Sequence, residues 1–132
     1  YKPILLKLSP DLAQSQIDEI LDYAMLSGID GVVAGNTSRK RDGLTIPQEK
    51  IDEIGKGGMS GAPLYAKNLE MVRYIASKTG GKLPIVGVGG IMSPEQAKEM
   101  LAAGASLIEI YSGFIYEGPG FVEKILKSLD TK

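Results

Sequence analysis

Four short stretches place polar or glycine residues directly after an apolar run, where a chain turns out of a strand and can meet a ligand. Lys7 is the one charge in the run 3–8, a cation able to stabilise negative charge on a bound molecule. Burying an unpaired ammonium is costly, so Lys7 must have an anionic partner or reach water, and a lysine snorkelling from a strand mouth satisfies the second condition. Asn36-Thr37 follows the run 29–35 and offers donors and acceptors for a planar amide or a carboxylate. The competing reading is an Asx-type turn that simply ends the strand. Gly89-Gly90, ahead of Ser93-Pro94-Glu95-Gln96, ends the apolar run 83–88 and opens a helix. Ser93 is placed as N-cap, Pro94 at the first helical position and Gln96 to close a capping box. Free N–H groups and the helix dipole make such a turn a cradle for phosphate, although glycines also occur there for steric reasons alone. Tyr111-Ser112-Gly113 closes the last apolar run with more exposed N–H groups, Tyr111 reading equally as a ligand contact or a core aromatic at the rim.

The composition removes several alternatives. The chain has no Cys and no His, which excludes disulfides, thiol nucleophiles, Cys-rich metal sites and His acid–base catalysis from these 132 residues. The absence of Cys fits a reducing compartment. Fifteen basic and 16 acidic residues are well mixed, with a net charge of -1, so no basic stripe invites nucleic acid. An apolar fraction of 43% and a charged fraction of 23% fit one globular domain with a real core. No apolar run approaches the roughly 18 residues of a membrane helix, and the first residues do not read as a signal peptide. Asp30 and Asp42 lack a second carboxylate at metal or glycosidase spacing. Glu109, between Ile108 and Ile110, is expected to face a partner at the sheet surface, away from a site.

The elements that position these residues alternate in type. Strands are expected over 3–8, 29–35, 83–88 and 106–111. A helix is expected after each: from Ser15, with Ser15 and Asp18 as its cap pair and Gly28 as its left-handed stop; from 65 to 79, ahead of Gly80-Gly81; from Ser93 to Gly104; and after Gly118-Pro119-Gly120, with Val122, Ile125, Leu126 and Leu129 apolar. Residues 39–62 form a long polar, glycine-rich connection with a short amphipathic turn near 47–54. Loops of that length in compact domains tend to be functional or mobile. Near-continuously apolar strands separated by helices imply a parallel sheet covered by helices. Four strands and four helices fit either a small doubly wound sheet or half of a (β/α)8 barrel, whose full form takes about 250 residues. In both, ligands bind at the C-terminal strand ends, where Lys7, Asn36-Thr37, Gly89-Gly90 and Tyr111-Ser112 lie.

Five motifs in order carry a resemblance. Lys7-Leu8-Ser9-Pro10-Asp11-Leu12, Asp30-Gly31-Val32-Val33-Ala34-Gly35-Asn36-Thr37, Gly57-Gly58-Met59-Ser60-Gly61-Ala62-Pro63-Leu64, Ile85-Val86-Gly87-Val88-Gly89-Gly90-Ile91, and Gly104 through Leu107 with Tyr111-Ser112-Gly113-Phe114 resemble dihydroorotate dehydrogenase. The Gly-Gly-Met-Ser-Gly-x-Pro-Leu block resembles class 2, the quinone-linked branch. The resemblance implies an FMN-binding TIM (β/α)8 barrel, with residues 1–132 as a single C-terminal half-barrel carrying strands five to eight.

By similarity, Lys7 contacts the flavin and stabilises its anionic reduced form, Asn36 and Thr37 hold orotate, Gly61 and Gly90 line FMN, and Tyr111 and Ser112 bind its phosphate. Gly35 stands where the family usually has a Thr that contacts FMN. A backbone contact survives there and a hydroxyl contact does not. The implied reaction oxidises dihydroorotate to orotate in de novo pyrimidine synthesis, with quinone as acceptor. No catalytic residue falls in this chain: the serine base and the helices that bind membrane and quinone lie upstream in the family. The chain is therefore expected to be a fragment of a cytoplasmic enzyme held peripherally at a membrane, and inactive alone. Its open edges and the inward side chains Leu6, Val33, Val86 and Ile108 are expected to drive self-association or pairing with the other half. Alternatives are a class 1 enzyme or another FMN barrel, and a half-barrel that only binds or assembles. A flavodoxin-like signalling domain would need an acidic cluster at the strand ends, which is lacking.

Overall fold

The computed structural model describes residues 1–130. Four parallel strands, β1 (Leu5–Leu8), β2 (Gly31–Ala34), β3 (Ile85–Val88) and β4 (Leu107–Glu109), lie side by side in sequence order. That order, each strand added beside the last, is that of consecutive units around a (β/α)8 barrel. A doubly wound sheet reverses direction at a switch point, and none occurs here.

The helices are α1 (Gln14–Ser27), α2 (Gln48–Ile54), α3 (Tyr65–Thr79), α4 (Pro94–Ala102), α5 (Ser112–Glu117) and α6 (Phe121–Asp130), with a 3-10 turn at Ala62–Leu64 before α3. This corrects the expected count of four. The amphipathic turn near 47–54 is a full short helix, and α5 intervenes between β4 and the final helix. Glycines in the left-handed region stop α1 at Gly28 and α3 at Gly80, where a side chain would be strained. The N-terminus of α1 also departs from expectation. Ala13, not Ser15, is its N-cap, and the Ala13 N–H donates to Gln16 Oε1 at 2.9 Å. The side chain three residues inside the helix takes up the N–H of the cap residue itself, and no hydroxyl caps the first turn. At α4, Ser93 Oγ accepts from the Gln96 N–H at 3.2 Å as expected, while Gln96 Oε1 reaches one residue further back, to the Met92 N–H at 2.7 Å.

The register sorts the strand residues onto two faces. Leu6 pairs with Val32 and Leu8 with Ala34, while Lys7 pairs with Val33, Val33 with Val86 and Val86 with Leu107. Side chains alternate along a strand. Leu6, Leu8, Val32, Ala34, Ile85 and Ile108 therefore share one face, and Leu5, Lys7, Val33, Val86, Val88, Leu107 and Glu109 the other. The first face meets α1, α3, α4 and α6 in one core, where Val72, Ile75, Met100 and Phe121 are fully buried. The expectation for Val33 and Val86 holds, but Leu6 and Ile108 point into the helix layer. The second face is open along its edge strands, where Leu5 is 41% and Leu107 65% exposed, while Val86 between them is 8% exposed. The open strands at the two ends of the order, β1 and β4, are its unpaired edges.

Candidate functional site

The four strands end on one side of the sheet, and their following turns enclose a pocket of about 340 Å³. Lys7 and Gly35 line it from β1 and the end of β2, with Asn36 and Thr37 just beyond. Gly61 enters from the turn before α3, Gly90 from the β3–α4 turn, and Tyr111 and Ser112 from the end of β4. Every site residue expected from the sequence is thus brought into one cavity.

Each position has a local cause. Asn36 and Thr37 stand where β2 stops. Just past them, Ser38 and Met59 form an antiparallel bridge that closes the long connection into a loop with its own base. Arg41 holds that loop in shape by donating to the carbonyls of Ser38 at 3.3 Å and Gly55 at 3.2 Å, and to that of Gly57. Asp11, in the turn after β1, is its outer anchor: it accepts from the Ser38 hydroxyl at 2.6 Å and the Arg39 N–H at 2.8 Å, and pairs with the Lys67 ammonium at 3.1 Å. The Ser38 hydroxyl above all, then the Arg39 N–H and Lys67, holds the Asp11 carboxyl down at about 2, against the opposing effect of desolvation. Connection 39–62, expected as a long polar, glycine-rich segment with one short amphipathic turn, is therefore pinned at both ends and braced by α2.

The Gly89-Gly90 turn has a steric reason as well as a place in the pocket. Both residues have positive φ, +107° and +79°, and a Cβ on Gly90 would lie 2.4 Å from the backbone nitrogen of Tyr65. Tyr65 is fixed in turn, its hydroxyl donating to Glu99 Oε2 at 2.7 Å while burial, with Glu99 beside it, pushes the phenol pKa up. At the β4 end, helix geometry leaves the first N–H groups of α5, those of Ser112 and Gly113, without intrahelical partners beside the cavity. Ser112 Oγ donates to Ser60 Oγ at 3.1 Å and ties this rim to the long connection.

Lys7 has no ion pair among the described residues and is exposed, so it meets its requirement by reaching water at the pocket mouth. Asn36 and Thr37 are exposed too, with no side-chain hydrogen bond among the described residues. Tyr111 is 80% exposed, which overturns its reading as a core aromatic. Glu109 also differs from expectation. It shares the open face with Lys7, as a surface residue would, but it lines the pocket itself. Parity along β4 puts it there, because Val88 pairs with Glu109 just as Lys7 pairs with Val33. Asp30 lies at the other end of the sheet, where its carboxylate accepts from the Ile4 N–H at 2.7 Å and from the Tyr1 hydroxyl.

Two features escaped the sequence. Ser60 completes the rim. Asn68 on α3 is fully buried, and neither polar atom of its side chain has a partner among the described residues. The signal for Asn68 was a lone polar residue at an apolar helical position, four before Val72.

The arrangement offers a cation, two amide- or carboxylate-binding side chains, a glycine-lined wall and free N–H groups to a flat, anionic ligand. FMN, implied by the resemblance, has those properties, and the exposed Lys7 and the unspent α5 N–H groups are the donors its ring edge and phosphate require.

Comparison with known proteins agrees with this geometry. The family model for dihydroorotate dehydrogenase matches residues 1–132. A dihydroorotate dehydrogenase (quinone) from Thermosynechococcus vestitus is 47% identical over 132 residues, covering 97% of this chain and 36% of the relative. Its counterpart from Nostoc punctiforme is 46% identical, covering all of this chain and again 36% of the relative. Ligand-free dihydroorotate dehydrogenase from Eimeria tenella superposes with a TM-score of 0.89 at 31% identity, over 98% of this chain and 35% of that one. The chain spans about a third of the length of these relatives. Matched along its whole length and sharing the fold of solved members, it belongs to the dihydroorotate dehydrogenase family.

Proposed function

We propose that the protein carrying this chain oxidises dihydroorotate to orotate in pyrimidine synthesis with FMN as its flavin and quinone as the final acceptor, and that residues 1–132 are a C-terminal half-barrel supplying the flavin and part of the orotate site. The observation that carries this is the convergence of Lys7, Asn36, Thr37, Gly90 and Ser112, from separate strand ends, on one pocket. A flavin held here would supply the acceptor for the hydride that leaves C6 of the substrate. Lys7, exposed and without an ion pair among the described residues, stabilises negative charge at the ring edge. Asn36 and Thr37, free of internal partners, orient the orotate ring through its amide and carboxylate groups. Tyr111 and Ser112 bind the phosphate through their backbone N–H groups. Gly35 contributes backbone alone.

The base that removes the C5 proton comes from outside these residues, as do the groups that meet quinone and hold the parent enzyme peripherally at a membrane from the cytoplasmic side. Among the described residues no helix is long and apolar enough to cross one. The open sheet face and the edges of β1 and β4 are covered by the remainder of the barrel, and in the isolated chain by a second copy.

Adding dihydroorotate anaerobically to the flavin-loaded full-length protein tests the reading. Bleaching of the flavin absorbance, slowed at least about a hundredfold in Lys7→Ala, is the expected result. Bound flavin that dihydroorotate leaves unbleached contradicts it.

A further inference from the structure

The buried amide of Asn68 is not accounted for by anything above. It sits in the first turns of α3, fully buried, directly behind the pocket wall. A Cβ on Gly35 would lie 2.8 Å from its Oδ1, and one on Gly89 2.2 Å from its Nδ2. The carboxamide is thus wedged between the ends of β2 and β3, and the two glycines it touches both line the pocket.

Filling space does not explain it. A leucine has the same branched skeleton and would bury no polar atom, whereas an unpaired buried donor and acceptor both cost free energy. Capping does not explain it either, because the Asn68 side chain makes no hydrogen bond to the end of α3. What distinguishes the site is its neighbours. Gly35 and Gly89 carry no side chains, so the amide abuts two peptide backbones that line the pocket, of which the Gly35 N–H already donates to the Val88 carbonyl at 3.3 Å.

We propose that Asn68 is a positioning residue of the pocket: its carboxamide, without a partner among the described residues, pairs with the peptides at Gly35 and Gly89 when a ligand seats, Oδ1 accepting from an N–H and Nδ2 donating to a carbonyl, and so sets the spacing of the β2 and β3 ends against it. The empty protein bears the cost of an unpaired amide, and the loaded protein recovers it. This deepens the flavin reading and rests on it for the identity of the ligand.

The test is thermal melting and flavin-fluorescence titration of the full-length protein and its Asn68→Leu variant, each with and without FMN and orotate. The expected result has opposite signs: the flavin-free variant melts higher than wild type, yet binds FMN at least about tenfold more weakly and gains less stability from it. A merely structural role would lower the melting temperature and leave the flavin-induced gain unchanged. Asn68→Ala, which removes the amide and asks nothing of either glycine, must also lose affinity. A flavin-free Asn68→Leu protein that melts below wild type overturns the proposal. So does unchanged FMN and orotate affinity in both variants. A wild-type protein that binds neither ligand overturns the flavin reading itself, and the inference with it.

Discussion

The two faces of the sheet are built from neighbouring residues of the same strands and meet opposite fates. Val32 is completely buried against the helix layer, while Leu107, on the other side of the ladder, is 65% exposed. Both are apolar β-formers in a parallel sheet. Parity puts them on opposite faces, and Leu107 stands on the edge strand β4 besides, whereas its partner Val86 on the same face of β3 is only 8% exposed. The covered face holds the fold together and carries no chemistry. The open face runs upward through Leu5 and Val33 to Lys7 and Glu109, and there it becomes the wall of the pocket. A sheet with one finished face can fold its helices onto it while the other still waits for a cover.

The same substitution on each face sharpens this comparison. Val32→Asp buries a carboxylate with no partner and should cost about 4 kcal/mol or more, enough to abolish cooperative unfolding of a marginally stable domain. In the 132-residue chain, Leu107→Asp should cost about 1 kcal/mol or less in urea denaturation, because Asp there mainly loses β-propensity. In the full-length protein, where the proposed barrel covers that face, Leu107→Asp should become nearly as damaging as Val32→Asp. Equal, mild effects of Leu107→Asp in both contexts would break the half-barrel account.

A smaller effect belongs to the anchor of the long connection. Asp11→Asn keeps the shape but weakens the charged hydrogen bonds to Ser38 and Arg39, and should cost about 1–2 kcal/mol at neutral pH. The Asp11 carboxyl titrates at about 2 in the folded chain, below the ordinary 3.8. Its contribution to stability is therefore complete above the ordinary value and is lost as pH falls through about 2. Melting temperatures of wild type and Asp11→Asn should differ at neutral pH and converge in acid over that range. A gap that persists unchanged below it would assign the effect to something other than the carboxylate.

Much of this was legible in the sequence, for reasons that differ by element. Helix α3 begins at Tyr65 and ends at Thr79 as the apolar spacing and Gly80 dictate. Ser93-Pro94 announced α4 because an N-cap hydroxyl and a proline at the first helical position have few other uses. The residues that line the pocket were legible because parallel strands bring their C-terminal ends together whatever the family. Parity was not legible. Leu5 and Leu6 are both apolar, and a strand buried on both faces in its complete fold shows no alternation to say which way each points. Glu109 was misplaced for the same reason, since only the pairing of Val88 with it aligns it with Lys7. The Ala13 cap was hidden because the acceptor sits on Gln16 and not on the capping residue. Asn68 looked like one polar residue on a helix, and its importance depends on two glycines 33 and 21 positions away in sequence.

The central claim is that these strand ends form a flavin and orotate site. Titration of the full-length protein with FMN, followed by quenching of flavin fluorescence with and without orotate, tests it most directly. Saturable binding that orotate tightens, and that Asn36→Ala leaves intact but no longer responsive to orotate, is the predicted result. FMN that fails to saturate, or orotate that acts identically on wild type and Asn36→Ala, would contradict it.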